Sequence, residues 1–149
     1  MSSIRLAISK PGWRATTQPD MANRDIIHAI AFNADGLVPA IAQQHDSGEV
    51  LMVAWMNADS VEKTLDTGQI CYWSRSRQAL WRKGESSGQT QRLIEMRLDC
   101  DADTLLLLVD QTGVACHTGR HNCFFRAVRG GELVTIAKVE TDPKELYGE

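Results

Sequence analysis

The sequence has no apolar run long enough to cross a membrane and no excess of positive charge. Its longest apolar run, residues 50–56, is long enough only for one β-strand, whereas a transmembrane helix needs about 20 apolar residues. The formal net charge is −3, and a nucleic-acid-binding domain usually carries a basic stripe and a high pI. We therefore expect no membrane partner and no nucleic-acid partner.

The start of the chain also lacks the continuous apolar core of a secretory signal. Residues 1–19 carry three basic residues and no acidic one, which leaves a transit peptide as the alternative to an irregular extension. We expect residues 1–24 to form an irregular extension and residues 25–149 to form a single domain, because 149 residues at 43% hydrophobic content suit one core. The predicted location is cytoplasmic, where cysteines stay reduced.

The hydrophobic pattern predicts a strand-rich α+β domain with one or two helices. Strands are predicted at 37–43, 49–55, 69–74, 92–98, 104–110, 124–128 and 132–139. A helix is predicted from Asn57, a good N-cap, to Thr67, with Gly68 as its stop, and a short helical turn at 25–32. The polar segment 75–91 is predicted to be a long functional loop. Short consecutive strands joined by turns favour a mainly antiparallel sheet.

The four cysteines do not form the Cys-x₂-Cys knuckle of a structural zinc site. Fifteen residues separate Cys100 from Cys116, and six separate Cys116 from Cys123. Three thiolates with no evident fourth ligand suit an open zinc site, in which water completes the tetrahedron. The alternative is that they are buried free cysteines that act as small hydrophobic side chains. Cys71 fits that second interpretation best.

A short acidic run surrounds Cys100. In an extended backbone, Asp99, Asp101 and Asp103 would share one face, where their carboxylates repel one another unless a cation neutralises them. Mg²⁺ prefers such oxygen ligands. A calcium-binding EF-hand would need glycine where Thr104 stands, so the remaining alternative is a solvated acidic turn without a metal.

His117 and His121 lie beside the cysteines. Histidine exchanges protons near neutral pH, so either could act as a base or an acid for a zinc-bound water, or as a fourth zinc ligand. A second set of residues, on the segment 72–88, could bind a nucleotide, because aromatic rings stack on purines while cations and hydroxyls bind phosphate. A solvated basic loop with core tryptophans is the alternative. The candidates for substrate binding are Trp73, Arg75, Arg77, Lys83 and Ser87.

Together these stretches resemble the phosphoribosyl-AMP cyclohydrolase family. The resemblance covers residues 37–124 and includes several long motifs in the same order. The matching motifs are Gly48-Glu49-Val50-Leu51-Met52, Met56-Asn57, Tyr72-Trp73-Ser74-Arg75-Ser76-Arg77, Leu80-Trp81-Arg82-Lys83-Gly84-Glu85, Ser87-Gly88, Asp99-Cys100-Asp101-Ala102-Asp103 and Ala115-Cys116-His117-Thr118-Gly119.

The resemblance implies a hydrolase of histidine biosynthesis that opens the adenine ring of phosphoribosyl-AMP at the N1–C6 bond with a zinc-activated water. It further implies a homodimer in which each zinc is shared: Cys100 comes from one chain, and Cys116 and Cys123 come from the other. Magnesium is implied at Asp99, Asp101 and Asp103. His117 is the implied proton shuttle.

The chain departs from the family pattern at two places. Gln89 follows Ser87-Gly88, where the family usually has Asn, so a substrate contact there is in question. His121 is not a family residue and is left out of the catalytic set. The two rival interpretations are a zinc deaminase, whose His-x-Glu and Pro-Cys-x-x-Cys motifs are both missing from the sequence, and a non-enzymatic module whose zinc only fastens a dimer.

Overall fold

The computed structural model describes residues 21–147 and places three helices and eight strands there. The α+β fold with a mainly antiparallel sheet is as the sequence predicts. The elements in chain order are α1 (Met21–Ala29), β1 (Val38–Gln44), β2 (Val50–Met56), α2 (Ala58–Thr67), β3 (Cys71–Ser74), β4 (Ala79–Arg82), β5 (Gln91–Leu98), β6 (Leu105–Gln111), β7 (Arg126–Arg129), β8 (Glu132–Thr135) and α3 (Pro143–Tyr147).

The first six strands form one sheet in the order β4-β3-β2-β1-β6-β5. Neighbouring strands are antiparallel except for β1 and β6, which are parallel. The sheet curls, so that its two ends meet: Gln69, just before β3, forms a bridge with Arg92 of β5. Backbone hydrogen bonds from Ile70 to the Gln91 carbonyl (3.0 Å) and from Leu93 to the Gly68 carbonyl (2.8 Å) extend this bridge. One end of β3 is thereby brought close to the start of β5.

The core lies inside this curl. Strands β1 and β6 alternate between buried and half-buried residues along their length, which is the period expected for a strand with one face on the core. Leu105, Leu107 and Val109 of β6 are fully buried. Helix α2 covers the core with Val61 and Leu65. Each such side chain contributes about 1.5–3 kcal/mol when it is fully buried.

Helix α2 begins and ends as the sequence predicts. The Asn57 side chain accepts a hydrogen bond from the Ser60 N–H at 2.8 Å, and the Ser60 hydroxyl accepts one from the Asn57 N–H at 2.8 Å. Gly68 ends the helix with φ of 77°, a left-handed conformation that suits glycine. The Thr64 hydroxyl accepts from the Cys71 N–H at 2.9 Å, which fixes α2 against β3. Cys71 is buried, in agreement with its predicted place in the core.

Several boundaries differ from the prediction. Strand β4 lies inside the segment that was predicted to be a loop. The sequence did not predict this strand because its residues are mostly exposed and show no hydrophobic alternation. Helix α1 begins at Met21, ahead of the predicted domain start at residue 25, and residues 1–20 of the predicted extension lie outside the described residues. The last hairpin, β7–β8, is shorter than predicted and forms a separate two-stranded sheet. Helix α3 was not predicted from the sequence. None of the helices within residues 21–147 is long and apolar enough to span a membrane.

Candidate active site

Backbone hydrogen bonds close the loop that carries Cys116 and Cys123. The N–H of Ala115 donates to the His121 carbonyl at 3.0 Å, and the N–H of Cys116 donates to the Arg120 carbonyl at 3.1 Å. This pairing folds the six intervening residues back on themselves. The second cysteine therefore returns to the first, and each thiol affects the pKa of the other.

Two neighbouring segments hold the loop in place. The Cys123 N–H donates to the Leu51 carbonyl of β2 at 2.8 Å. On the other side, the Gly119 carbonyl accepts from the Glu140 and Thr141 N–H groups at 2.8 and 3.1 Å. Gly119 has φ of 86°, and a Cβ there would overlap the Thr141 carbonyl. Glycine is thus required at this position of the loop by both conformation and space.

The two thiols differ in their affinity for protons. Burial raises the pKa of the Cys116 thiol, but hydrogen bonds from Thr118 and Cys123 and the charge of Lys83 together hold it below its ordinary value. The Thr118 hydroxyl donates to the Cys116 sulfur at 3.0 Å. Loss of solvation by surrounding protein, together with the neighbouring Cys116, raises the pKa of Cys123 to about 12. A cation bound between the sulfurs would favour the thiolate form of both.

The Lys83 ammonium lies beside this pair of sulfurs. Its Nζ donates to the Ala115 carbonyl at 2.6 Å. Burial lowers the pKa of Lys83, whereas the negative charge of the Cys123 and Cys116 thiolates acts in the opposite direction. The lysine predicted to bind substrate is therefore also an electrostatic partner of the cysteines.

Glu49 binds the two residues of the cysteine loop that precede Cys123. Its Oε1 is 2.8 Å from the His121 Nδ1, and its Oε2 accepts from the Asn122 amide at 2.7 Å. The Asn122 side chain in turn accepts from the Phe124 N–H at 2.7 Å. Burial raises the pKa of the Glu49 carboxyl, but the hydrogen bonds from Asn122 and His121 and the charge of His121 hold it below its ordinary value.

The three aspartates converge, although not on an extended strand. Their carboxylates lie within 4.8 Å of one another, all exposed. Residues 99–104 form a tight turn in which Asp99 Oδ1 accepts from the N–H groups of Asp103 and Thr104 at 3.0 and 3.3 Å. The predicted extended backbone is therefore wrong. Ala102 has φ of 62° and accepts from the Ala31 N–H at 2.8 Å, which places the turn beside the end of α1.

Neighbouring carboxylates in this turn affect the pKa values of Asp99 and Asp103. Hydrogen bonding and charge from Asp101, then partial desolvation and Asp99, raise the pKa of Asp103. Desolvation also raises the pKa of Asp99, but its hydrogen bonds with Asp103, Thr104 and Asp101 hold it below its ordinary value. Three convergent carboxylates of this kind suit a hard divalent cation.

The structure does not bring Cys100 to the other two cysteines within one chain. Cys100 lies in the turn before β6, whereas Cys116 follows the far end of that strand. At about 3.3 Å per residue, the seven residues of β6 separate its ends by about 20 Å. Within residues 21–147, the aspartate turn is the one group of three or more His, Cys, Asp or Glu side chains close enough to hold a metal ion.

The predicted substrate-binding residues divide between two cavities. Trp73 and Arg75 line a cavity of about 570 Å³ beside the start of α2. Arg77, Lys83 and Ser87 line another of about 260 Å³. The Arg75 guanidinium is 4.7 Å from the ring centre of Trp55, so this cation also stacks on a protein aromatic ring.

His117 is exposed next to Cys116. Glu49, Thr118 and Gln111, whose contacts support the cysteine loop, are not among the residues predicted from the sequence. Glu49 and Thr118 do lie within motifs that carry the family resemblance, so the sequence held a signal for both. Gln111 is the last residue of β6, two positions after the apolar run, and nothing in its sequence context distinguishes it.

Known proteins are similar to this chain in sequence. The family profile for phosphoribosyl-AMP cyclohydrolase matches residues 52–125. A phosphoribosyl-AMP cyclohydrolase of Rhodospirillum centenum is 70% identical over 119 residues, covering 80% of this chain and 90% of the relative. The enzymes of the same name from Alkalilimnicola ehrlichii and Rhodospirillum rubrum are each 66% identical, covering 82% and 80% of this chain and 86% and 85% of the relatives.

These similarities define the protein as an enzyme of the hydrolase class. The chain belongs to the phosphoribosyl-AMP cyclohydrolase family. The resemblance stated from the motifs is thereby confirmed. The matched residues 52–125 include the aspartate turn, Cys116 and Cys123.

The contacts of Glu49 predict a pH-dependent contribution to stability. Replacing Glu49 with Gln removes the charge but keeps the shape, and we expect the free energy of unfolding at pH 7 to fall by about 1 kcal/mol. The folded-state pKa of Glu49 is below its ordinary value of 4.5, so the wild-type advantage is present above that value and is lost as the pH falls through the folded pKa. Urea unfolding at pH 7, 5, 4 and 3 measures it.

Glu62→Gln is the matched control, because Glu62 is an exposed residue of α2. Its effect should stay small across the same pH series. A difference between wild type and Glu49→Gln that grows towards low pH would contradict the stabilising role of the carboxylate.

Proposed function

We propose that this enzyme hydrolyses the N1–C6 bond of the purine ring of phosphoribosyl-AMP, in the cytoplasm, as a step of histidine biosynthesis. The product would be the formimino-aminoimidazole-carboxamide ribotide intermediate. The observation that carries the proposal is the adjacent Cys116 and Cys123 thiols beside Lys83, in a chain of this family. A ribose phosphate on N1 leaves the ring cationic, so C6 is open to attack by water.

The donor set of the cysteine pair fits zinc. Thiolate sulfur is a preferred ligand of zinc, and the loop geometry already places two sulfurs side by side without other elements having to move. The Thr118 hydroxyl donates to one sulfur, and such support orients a ligand. Zinc bound here would supply a water whose pKa is lowered towards neutrality.

A third thiolate would complete the site across a homodimer. In its own chain, Cys100 lies before one end of β6 and the pair follows the other end, and the strand itself is about 20 Å long. Cys100 is exposed and so accessible to another chain. The proposed site therefore combines Cys116 and Cys123 with Cys100 of the partner subunit. By two-fold symmetry, the interface would contain both the aspartate turn and the cysteine loop.

The remaining residues would bind and orient the substrate. Asp99, Asp101 and Asp103 would hold Mg²⁺ through their convergent carboxylates. Arg77 and Ser87 would contact a phosphate in the smaller cavity, and Trp73 and Arg75 would bind substrate in the larger one. His117, exposed beside Cys116, would take a proton from the attacking water and return it to the leaving nitrogen.

A turnover assay tests the proposal directly. Protein depleted of metal with a chelator and then given phosphoribosyl-AMP should show no change in purine absorbance. Adding zinc back should restore turnover, since the attacking water depends on the metal. Full turnover by the depleted protein would contradict the role of zinc, and zinc-loaded protein that leaves the substrate unchanged would contradict the reaction.

His117→Ala separates proton transfer from metal binding. We expect kcat to fall by about 10²–10⁴-fold, the usual contribution of a general acid–base group, with zinc content per chain unchanged. His28→Ala, an exposed residue of α1, is the control and should keep wild-type activity. Loss of zinc in the His117 variant would instead make that residue a ligand.

Mixing inactive variants tests the shared site. Cys100→Ser and Cys116→Ser chains should each be inactive alone. In their heterodimer one site lacks both cysteines and the other is intact, so activity should return to about half of wild type per heterodimer, because metal binding is linked to the dimer and not to the chain.

The matched control mixes Cys116→Ser with Cys123→Ser. Both of these residues belong to the same half of the proposed site, so neither site of that heterodimer is intact and no activity should return. If Cys100→Ser and Cys116→Ser fail to complement while heterodimers form, the three cysteines do not share a metal between chains.

A further inference from the structure

Residues 89 and 90 lie between the two loops that carry the proposed active-site groups. On one side is Gly84, with φ of 88°, where a Cβ would stand 2.7 Å from the carbonyl carbon of Gln89 and 2.8 Å from the Cα of Thr90. On the other side is Gly113, with φ of 71°, where a Cβ would overlap the Gln89 side chain. The two glycines therefore allow both loops to pack directly against this segment.

The Gln89 side chain uses this space to join the two loops. Its Oε1 accepts from the Val114 N–H at 2.9 Å, and its Nε2 donates to the Ser87 carbonyl at 3.3 Å. Its backbone N–H donates to the Ser87 hydroxyl at 3.2 Å. One amide thus makes hydrogen bonds to a proposed phosphate-binding loop and to the chain just before Cys116.

A second glutamine supports the same junction. Gln111 Nε2 lies within hydrogen-bond distance of the carbonyls of Thr112 (2.9 Å), Val114 (3.3 Å) and Gln89 (3.4 Å). Gln111 Oε1 accepts from the buried Gln91 side chain at 2.8 Å, whose own Oε1 accepts from the Tyr72 hydroxyl at 2.7 Å. The junction is therefore continuous with a polar network that is buried inside the sheet.

This junction ends at the cysteine pair. Val114 and Ala115 are 4% and 2% exposed, so the chain there has little freedom to move. The Ala115 carbonyl accepts from Lys83 at 2.6 Å, and Cys116 follows directly. A displacement of Val114 would shift both the Lys83 contact and the first thiol.

We propose that Gln89 is a positioning residue that sets the distance between the Ser87 loop and the Cys116 loop. Gln89 acts through Val114 and Ser87, not through contact with the reacting atoms. The inference rests on the proposed function, because it assumes that both loops contact one substrate. An asparagine, shorter by one methylene, could not span from the same backbone position to both partners without movement of a loop.

Two substitutions test the Gln89 side chain: one removes both of its hydrogen bonds, and the other keeps the acceptor for Val114. Gln89→Ala removes both side-chain hydrogen bonds, and we expect kcat/KM for phosphoribosyl-AMP to fall by about 10-fold or more. Gln89→Glu keeps the acceptor for the Val114 N–H but loses the donor to the Ser87 carbonyl, so kcat/KM should fall by less than in Gln89→Ala, to within about threefold of wild type. Gln43→Ala is the control, because the Gln43 side chain donates to the Gly48 carbonyl across the β1–β2 turn, and the change should leave kcat/KM unchanged.

Hydrogen exchange at the Val114 amide gives a readout that does not depend on activity. The amide should be protected in wild type and in Gln89→Glu, and should exchange faster in Gln89→Ala. A protected Val114 amide in Gln89→Ala would overturn the proposal, as would faster exchange with kcat/KM within twofold of wild type. Equal impairment of the Glu and Ala variants would also overturn it.

The same experiment separates this inference from the proposed function. If wild-type protein does not turn over phosphoribosyl-AMP, the proposed function fails, and the positioning role for that reaction is overturned with it. If wild type turns over and only the Gln89 variants behave against expectation, the positioning role fails alone and the proposed function stands.

Discussion

The position of β6 between β1 and β5 is the constraint on which the rest of the site depends. Its inward residues are fully buried and alternate strictly with half-buried ones, so a shift of register by one residue would turn Leu105, Leu107 and Val109 away from the core. Because this register is fixed, the two ends of the strand are fixed as well. One end carries the aspartate turn with Cys100, and the other leads into the cysteine loop.

The curl of the sheet then decides what meets the cysteine loop. The bridge between Gln69 and Arg92 brings the segment before β3 against the start of β5, and the chain after β4 lies beside the end of β6. Lys83 consequently reaches the Ala115 carbonyl. A lysine and two cysteines from separate parts of the sequence thus form one electrostatic unit, in which the ammonium stabilises the thiolates and the thiolates stabilise the ammonium.

The sequence was most informative where structure is local or repeated. Helix α2 could be bounded from Asn57 and Gly68 because capping depends on residues within one turn, and the buried strands could be found from their apolar runs. Strand β4 could not, because most of its residues are exposed and it is an edge strand that pairs only with β3 in its sheet. The convergence of the aspartates was expected, but their backbone was not, since a turn and a strand can both present alternate residues together.

The relation of Cys100 to the other cysteines could not be read from spacing. Fifteen residues are enough for a hairpin that returns to its start or for a strand that leads away from it, and the continuous strand β6 shows that the second is the case. Gln89 is a similar case. From the sequence, Gln89 stood at a position where a contact with substrate was considered. In the structure its side chain bonds to the protein itself, at Val114 and Ser87.

The proposed division of the thiolates between two chains would have a thermodynamic consequence. A pair of sulfurs in one chain offers a metal only part of its coordination shell, whereas structural zinc is usually four-coordinate and catalytic zinc usually has three protein ligands. If the third comes from another chain, the metal binds the dimer more tightly than the monomer, and by linkage the dimer is stabilised by the same factor. Lys83 makes this dependence on the dimer smaller, because its positive charge stabilises the Cys116 thiolate within one chain and without a metal. Within one chain, electrostatics thus favour the thiolate of Cys116 but not that of Cys123, while a complete site would require association.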